Sequence, residues 1–230
     1  MLENISKVLV VFVSLFVFGL SVSAENISDS VIVQNMTIQK QLDEIGFNLL
    51  NSNHIDKHII FTFKNNSKKS QKLAKVSKSQ IIIYDNAINY AQTDDEKAAM
   101  LAIRISNALL KYGNYYEKSD VFYSPRKFEI FADTQAIDYL VNAGYNPLGM
   151  ITYINKSCPQ KLSKLSRHNT STQRMAHIYE NIFIKYPYFL KNNKYIDNVY
   201  YQNFLLNSMD NRRELEKKLK YHYSFEARYE

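Results

Sequence analysis

Thr93-Asp94-Asp95-Glu96-Lys97-Ala98-Ala99-Met100-Leu101-Ala102-Ile103-Arg104-Ile105-Ser106-Asn107-Ala108-Leu109 is the stretch that decides how the chain folds. Thr93 can cap a helix with its hydroxyl, and Glu96, three residues on, completes a capping box by reaching back to the cap's own N–H. Ala98, Leu101, Ala102, Ile105, Ala108 and Leu109 recur at helical spacing and predict a buried stripe, with Gly113 as the stop. A long helix with an acidic first turn and a buried small-residue face therefore forms the middle of the domain.

Downstream, Ser124 as cap, Pro125 at the first helical position and Gly144 just past the end predict a second helix. Its expected inner face is Phe128, Phe131, Ala132, Ala136, Tyr139, Leu140 and Ala143. Thr170 with Gln173 in the capping-box place opens another, running to about Lys185 before Pro187. Shorter helical stretches near Ile196–Ser208 and Asn211–Tyr221 finish the chain. Upstream, Ile38, Leu42, Ile45, Phe47 and Leu49 predict a helix from Thr37 to about Leu50. Two β-rich runs follow, Ile59–Phe63 and Gln80–Tyr84, joined by a lysine- and serine-rich connection from Asn65 to Ser79, and then a short helix over Asp85–Tyr90. The sum is an α+β fold, mainly helical with a small β-sheet. No internal repeat or low-complexity tract interrupts it.

At the start of the 230-residue chain, Lys7 precedes an apolar run from Val8 to Leu20, and Ser21-Val22-Ser23-Ala24 offers a small-residue exit. Residues 1–24 read as a secretory signal peptide cleaved near Ala24, with a retained N-terminal anchor as the alternative; the run is short for a membrane span. No cysteine lies near the cut, so no lipoprotein anchor is expected. The expected address is exported, periplasmic or extracellular. Residues 25–35 are polar and aperiodic and read as a linker, 36–190 as the main domain, and 191–230 as a C-terminal helical extension. Cys158 is the only cysteine, so no intramolecular disulfide can form, and an apolar fraction of 46% has to hold the fold by packing. The formal charge of +7 comes from residues scattered among Asn, Ile, Lys and Tyr. It defines no basic patch, so no nucleic-acid partner is expected, and weak contact with an anionic membrane surface is the most it suggests.

In their order, these elements resemble the HtpX-like and BepA-like gluzincin zinc metallopeptidases, the family that also holds the CAAX prenyl proteases. Helix, two strands, short helix, metal helix, a second helix carrying a glutamate and Ala-Asp, then a His loop and a final helix is that family's sequence of parts. The acidic run before Ala98-Ala99 fits, as do Glu129-Ile130-Phe131-Ala132-Asp133 for the family's Glu-x-x-Ala-Asp segment, Ala143-Gly144-Tyr145-Asn146-Pro147 for its ending, and Ser166-Arg167-His168 with Arg174 for its late His-and-Arg element. The resemblance covers about residues 36–190 and implies a zincin-like metallopeptidase domain. It also implies a departure: where the family reads Leu-Ala-His-Glu-Ile-x-His, this chain reads Leu101-Ala102-Ile103-Arg104-Ile105-Ser106-Asn107.

That departure removes the chemistry. Histidines at i and i+4 give zinc two imidazole ligands on one helix face, and the intervening glutamate takes a proton from the bound water. Ile103 has no lone pair, the Asn107 amide is a poor zinc ligand, and Arg104 stays protonated and would repel the metal. Of the ligands the family implies, Glu129 alone remains. No catalytic residue is therefore expected, and the family's zinc is expected to be lost. The former-site pocket implied by the resemblance comprises Ile103, Arg104, Asn107, Glu129, Asp133, His168 and Arg174.

Each of these residues has a plainer reading beside it. Glu129 is either a solvated helix-surface glutamate or the partner of Arg104, the guanidinium filling the vacated metal space at salt-bridge distance. Asp133, one turn on, reads as a helix-surface contact, His168 as a solvated or hydrogen-bonded loop residue, and Arg174 as an ion-pair donor across the groove. Cys158 reads as incidental. His54, His58, His177 and His222 show no metal-ligand spacing to one another. The leading expectation is a pseudoprotease that binds a peptide or envelope protein in extended form against the strand at Gln80–Tyr84, with Ile81, Ile82 and Ile83 as the peptide edge. The alternative is an active zinc metalloendopeptidase using non-standard ligands such as His168 and His177 with Glu129. A drifted paralogue with no retained role is a third.

Overall fold

A computed structural model describes residues 30–65, 72–112, 125–158 and 170–220. The expected leader, residues 25–29 of the expected linker, Gly113, Ser124, His168 and Tyr221 lie outside the described residues. In chain order the elements are helix α1 at 30–52, strands β1 Ile60–Lys64, β2 Ala74–Val76 and β3 Gln80–Tyr84, then helices α2 Asp85–Tyr90, α3 Asp94–Tyr112, α4 Pro125–Asn142, α5 Gly149–Ser157, α6 Ser171–Lys185, α7 Tyr188–Lys191, α8 Val199–Asn207 and α9 Met209–Lys220. The α+β, mainly helical class with a small sheet is what the structure has. No helix among the described residues is long and apolar enough to cross a membrane.

The chain divides into two compact units, Met1–Gln41 and Leu42–Glu230. In the first, α1 opens at residue 30, so residues 30–35, expected as linker, are helical. Val31, Ile32, Val33 and Met36 are all exposed there, which is why the segment carries no one-sided apolar pattern to read. In the second unit, α1 continues with Leu42, Ile45 and Leu49 buried, the i, i+3, i+7 face of a helix lying on a core. It approaches β1 closely at Gly46, where a Cβ would sit 2.4 Å from the Phe61 ring. Only glycine allows that contact.

The sheet runs β1-β3-β2, with β1 parallel and β2 antiparallel to β3. This corrects the expectation for Ile81, Ile82 and Ile83. They occupy the central strand, hydrogen-bonded on both sides, with relative exposures of 0%, 9% and 0%, and cannot be a peptide-accepting edge. The outer strands among the described residues are β1 and β2. The run Gln80-Ile81-Ile82-Ile83-Tyr84 signals burial on both faces, and burial on both faces belongs to a central strand. β2 was not expected at all, because three residues in a lysine-rich connection give no alternation to detect.

α3 packs against α4 and α5, with Ser106 Oγ donating to Gln135 Oε1 of α4 at 3.0 Å. Two features of its neighbours differ from the sequence reading. Phe131 is exposed rather than on the inner face of α4, whose buried residues are Ala132, Asp133, Ala136, Ile137 and Leu140. Nothing in the periodicity predicts α5, for a physical reason: Gly149, Met150, Ile151, Thr152, Tyr153 and Ile154 are all buried, and a helix surrounded on every side has no polar face to set a period. Tyr195, Tyr201, Phe204 and Leu215 belong to the core.

Among the described residues, the predicted helix ends at Thr93, Gly144 and Thr170 are present. Gly144 adopts φ 81°, and Tyr145 N–H bonds back to the Leu140 carbonyl at 2.9 Å, closing α4 with a left-handed residue. The capping boxes at Thr93/Glu96 and Thr170/Gln173 are both formed.

Candidate functional site

The mid-section of α3 supplies Ile103, Arg104 and Asn107. Ile103 is buried at 3% exposure, and Arg104 and Asn107 are half-buried. Across from it, α4 carries Glu129, half-buried, and Asp133 one turn later. Asp133 is not on the surface: its exposure is 1%. Arg174 of α6 reaches it with two parallel bonds, Nε to Oδ2 at 2.9 Å and Nη2 to Oδ1 at 2.6 Å. A bidentate guanidinium clamp satisfies the carboxylate and removes the cost of burying it alone. This is the cross-groove ion pair expected of Arg174, and Asp133 is its other half.

Burial alone would lower the Arg174 pKa, but the charge and hydrogen bonds of Asp133 and the nearby Cys158 and Glu129 outweigh it and raise the value. Cys158, half-exposed at the end of α5, and Glu129 thus lie in the electrostatic reach of Arg174. His177, one turn further along α6, is buried at 4% exposure. The Thr134 hydroxyl donates to the Ile130 carbonyl at 2.9 Å and lies 3.1 Å from His177 Nε2. The Asn181 amide stands 3.0 Å from the same ring nitrogen, so the imidazole is held from two sides. Burial pushes the His177 pKa down to about 4, against the opposing charge of Asp133 and the Ile130 carbonyl.

Arg104 does not pair with Glu129: no ion pair among the described residues joins them. The guanidinium lies instead beside Tyr153 of α5. The reason is helical geometry. Successive residues are turned by about 100° around the axis, and at position 104 the side chain meets the α5 side of α3. Tyr153 is 2% exposed. Burial raises its phenol pKa, the positive charge of Arg104 opposes, and Cys158 adds to the rise. Ser157 and Arg104 lie within reach of the Tyr153 hydroxyl, yet neither that hydroxyl nor the buried Arg104 Nε makes a hydrogen bond of good geometry among the described residues. Leaving such groups unmet costs about 1–3 kcal/mol each.

The acidic run opening α3 has a different role from the one the sequence suggests. Glu96, fully buried, accepts from the Gln92 and Thr93 N–H groups at 2.8 and 3.2 Å and from Lys156 Nζ of α5 at 2.6 Å. Asp95 accepts from Asn146 N–H at 2.9 Å and Tyr195 Oη at 2.9 Å, and pairs with Lys194 at 2.7 Å. Gly149 makes this possible, since a Cβ there would stand 2.9 Å from the Asp95 backbone carbon. These acids fasten α3 to α5 and to the loop before α8.

Among the described residues, several of the donors a zinc ion would need are already engaged. Asp133 spends both oxygens on Arg174, Ile103 offers none, His177 Nε2 is contacted by Thr134 and Asn181, and Arg104 adds positive charge. Among the described residues no group of three or more His, Cys, Asp or Glu side chains could hold a metal ion. Ile103, Arg104, Asn107, Glu129, Asp133 and Arg174 do all lie on the three helices α3, α4 and α6. Tyr153 and Cys158 join them from α5, and sequence reasoning missed Tyr153 because α5 gives no period. No protein-family model and no curated protein matches the chain.

Proposed function

We propose that this chain is an exported, non-catalytic relative of the zincin-like metallopeptidases, a pseudoprotease that acts by binding a peptide or envelope protein. The reading is supported by Ile103 and Arg104 standing where the resembled family has a metal ligand and its base, and by the bidentate Arg174–Asp133 clamp, which occupies both oxygens of a carboxylate that the resemblance counts in the former site. Hydrolysis requires a hydroxide made at neutral pH, and a guanidinium at position 104 can neither take the proton nor tolerate the metal. Backbone pairing of an extended peptide needs neither. With β3 enclosed, the five-residue outer strand β1, Ile60–Lys64, is the segment suited to such pairing.

Elemental analysis and a peptide-library assay test the reading together. Purified protein is expected to carry no stoichiometric zinc, to cut no peptide in a chelator-sensitive way, and to retain peptides in the presence of chelator. Stoichiometric zinc that disappears in Glu129→Gln, together with chelator-sensitive cleavage, would show an active metallopeptidase with non-standard ligands instead. Restoring Ile103→His, Arg104→Glu and Asn107→His in one variant is expected to regain metal binding.

A further inference from the structure

Lys156, Arg174 and Arg104 all reach into the helical interior, and the first two bring their own carboxylate. Lys156, 6% exposed, is held by Glu96 at 2.6 Å, and Arg174 is held by Asp133 at 2.6 Å. The third, Arg104, makes no ion pair among the described residues, and its buried Nε has no acceptor. Beside it the Tyr153 hydroxyl, on a side chain 2% exposed, makes no hydrogen bond of good geometry either, its polar neighbours being Arg104 itself and Ser157. A fold that matches the charges of Lys156 and Arg174 so closely leaves the Arg104 Nε–H and the adjacent Tyr153 hydroxyl without an acceptor of good geometry among the described residues. A guanidinium N–H and a phenol O–H side by side are the donor set a carboxylate accepts from.

We propose that Arg104 and Tyr153 form a binding site for a carboxylate, supplied by the C-terminus or an acidic side chain of the bound peptide. The site rests on the peptide-binding reading above and names the group that reading leaves open. Arg104 contributes charge and direction through its planar N–H fork, and Tyr153 contributes a neutral O–H, since its raised pKa keeps the phenol protonated. A free small carboxylate would meet the same donors, so the two sources are separated by experiment.

The direct readout is the Arg104 side-chain Nε–H signal in nitrogen–proton correlation spectra of the full chain, recorded with chelator present so that zinc plays no part. Three ligands are titrated at constant ionic strength: sodium acetate, a short acidic peptide with a free C-terminus, and the same peptide lacking side-chain carboxylates and amidated at its C-terminus, with sodium chloride as control. The expected result is a saturable shift of the Arg104 signal with the free-acid peptide and none with the uncharged one. Affinity should fall at least about tenfold in Tyr153→Phe, which keeps the ring and removes the donor, and should be lost in Arg104→Gln. Acetate matching the peptide molecule for molecule assigns the site to a free small carboxylate; peptide binding at least about tenfold tighter assigns it to a peptide. No carboxylate-specific shift beyond chloride, or binding unchanged in folded Tyr153→Phe and Arg104→Gln, overturns the proposal. Chelator-sensitive cleavage would instead overturn the pseudoprotease reading, and the two failures are read from different experiments.

Discussion

The N-terminus and the middle of α3 treat charge in opposite ways. At its N-terminus Asp95 and Glu96 are buried or nearly so, yet each oxygen meets a donor from Gln92, Thr93, Asn146, Lys156, Lys194 or Tyr195. In its middle, Arg104 and Tyr153 sit together with an unmet Nε and Oη. The first region is a fastening: every charge is neutralised within the chain, and removing a partner exposes the cost. In the second, two atoms find no partner of good geometry among the described residues, and the carboxylate proposed for them is what would complete the contrast.

The sharpest way to break that contrast is to delete a partner in a compensated pair. Asp133→Asn leaves the Arg174 guanidinium buried without its carboxylate, and urea unfolding should show a loss of about 3–5 kcal/mol; a change under about 1 kcal/mol would mean the clamp is not structural. Next in size is acid. His177 has a folded pKa of about 4 against 6.5 in the unfolded chain. The unfolded state therefore binds the extra proton first, and stability is full above pH 6.5 and declines as pH falls from 6.5 through 4, by up to about 3 kcal/mol. His177→Gln should flatten that part of the stability–pH curve. Gly149→Ala probes the fastening by sterics: its Cβ would meet the Asp95 backbone at 2.9–3.0 Å, and overpacking of this kind costs about 1–3 kcal/mol, read as a lower Tm. The smallest effect is expected in the second region. Arg104→Met removes an uncompensated, half-buried cation, so stability should stay within about 1 kcal/mol of wild type or rise, while carboxylate binding is lost.

Much of this architecture was legible in the residues. Thr93, Glu96, Thr170, Gln173 and Gly144 marked helix ends correctly, because capping is local chemistry between side chains and the nearest backbone groups. The α3 stripe was right at Ala98, Leu101, Ala102, Ile105 and Ala108 and slipped by one residue at its end, where Leu110 rather than Leu109 is buried. Asp133 was read as a helix-surface contact, and pairing with Arg104 was one of two readings of Glu129, the other being a solvated surface residue. That Arg174 claims Asp133 and that Arg104 meets Tyr153 were not legible for one reason: the partners come from α6 and α5, and no spacing along α3 or α4 encodes which neighbour faces which turn. The strand at Ile81–Ile83 was recognised and misplaced, since a strand's own residues announce burial but not the identity of the strands on either side.

What the sequence determined alone is the set of helices and strands with local signals, the mainly helical α+β class, and the absence of histidine and glutamate at positions 103, 104 and 107. Those depend on periodicity, capping and side-chain chemistry, which act over a few residues. The tertiary structure alone decided that α5 exists as the central helix, that β3 is enclosed, that Arg174 claims Asp133, and that Arg104 meets Tyr153. These are contacts between segments dozens of residues apart, fixed by how the helices cross rather than by anything written within one of them.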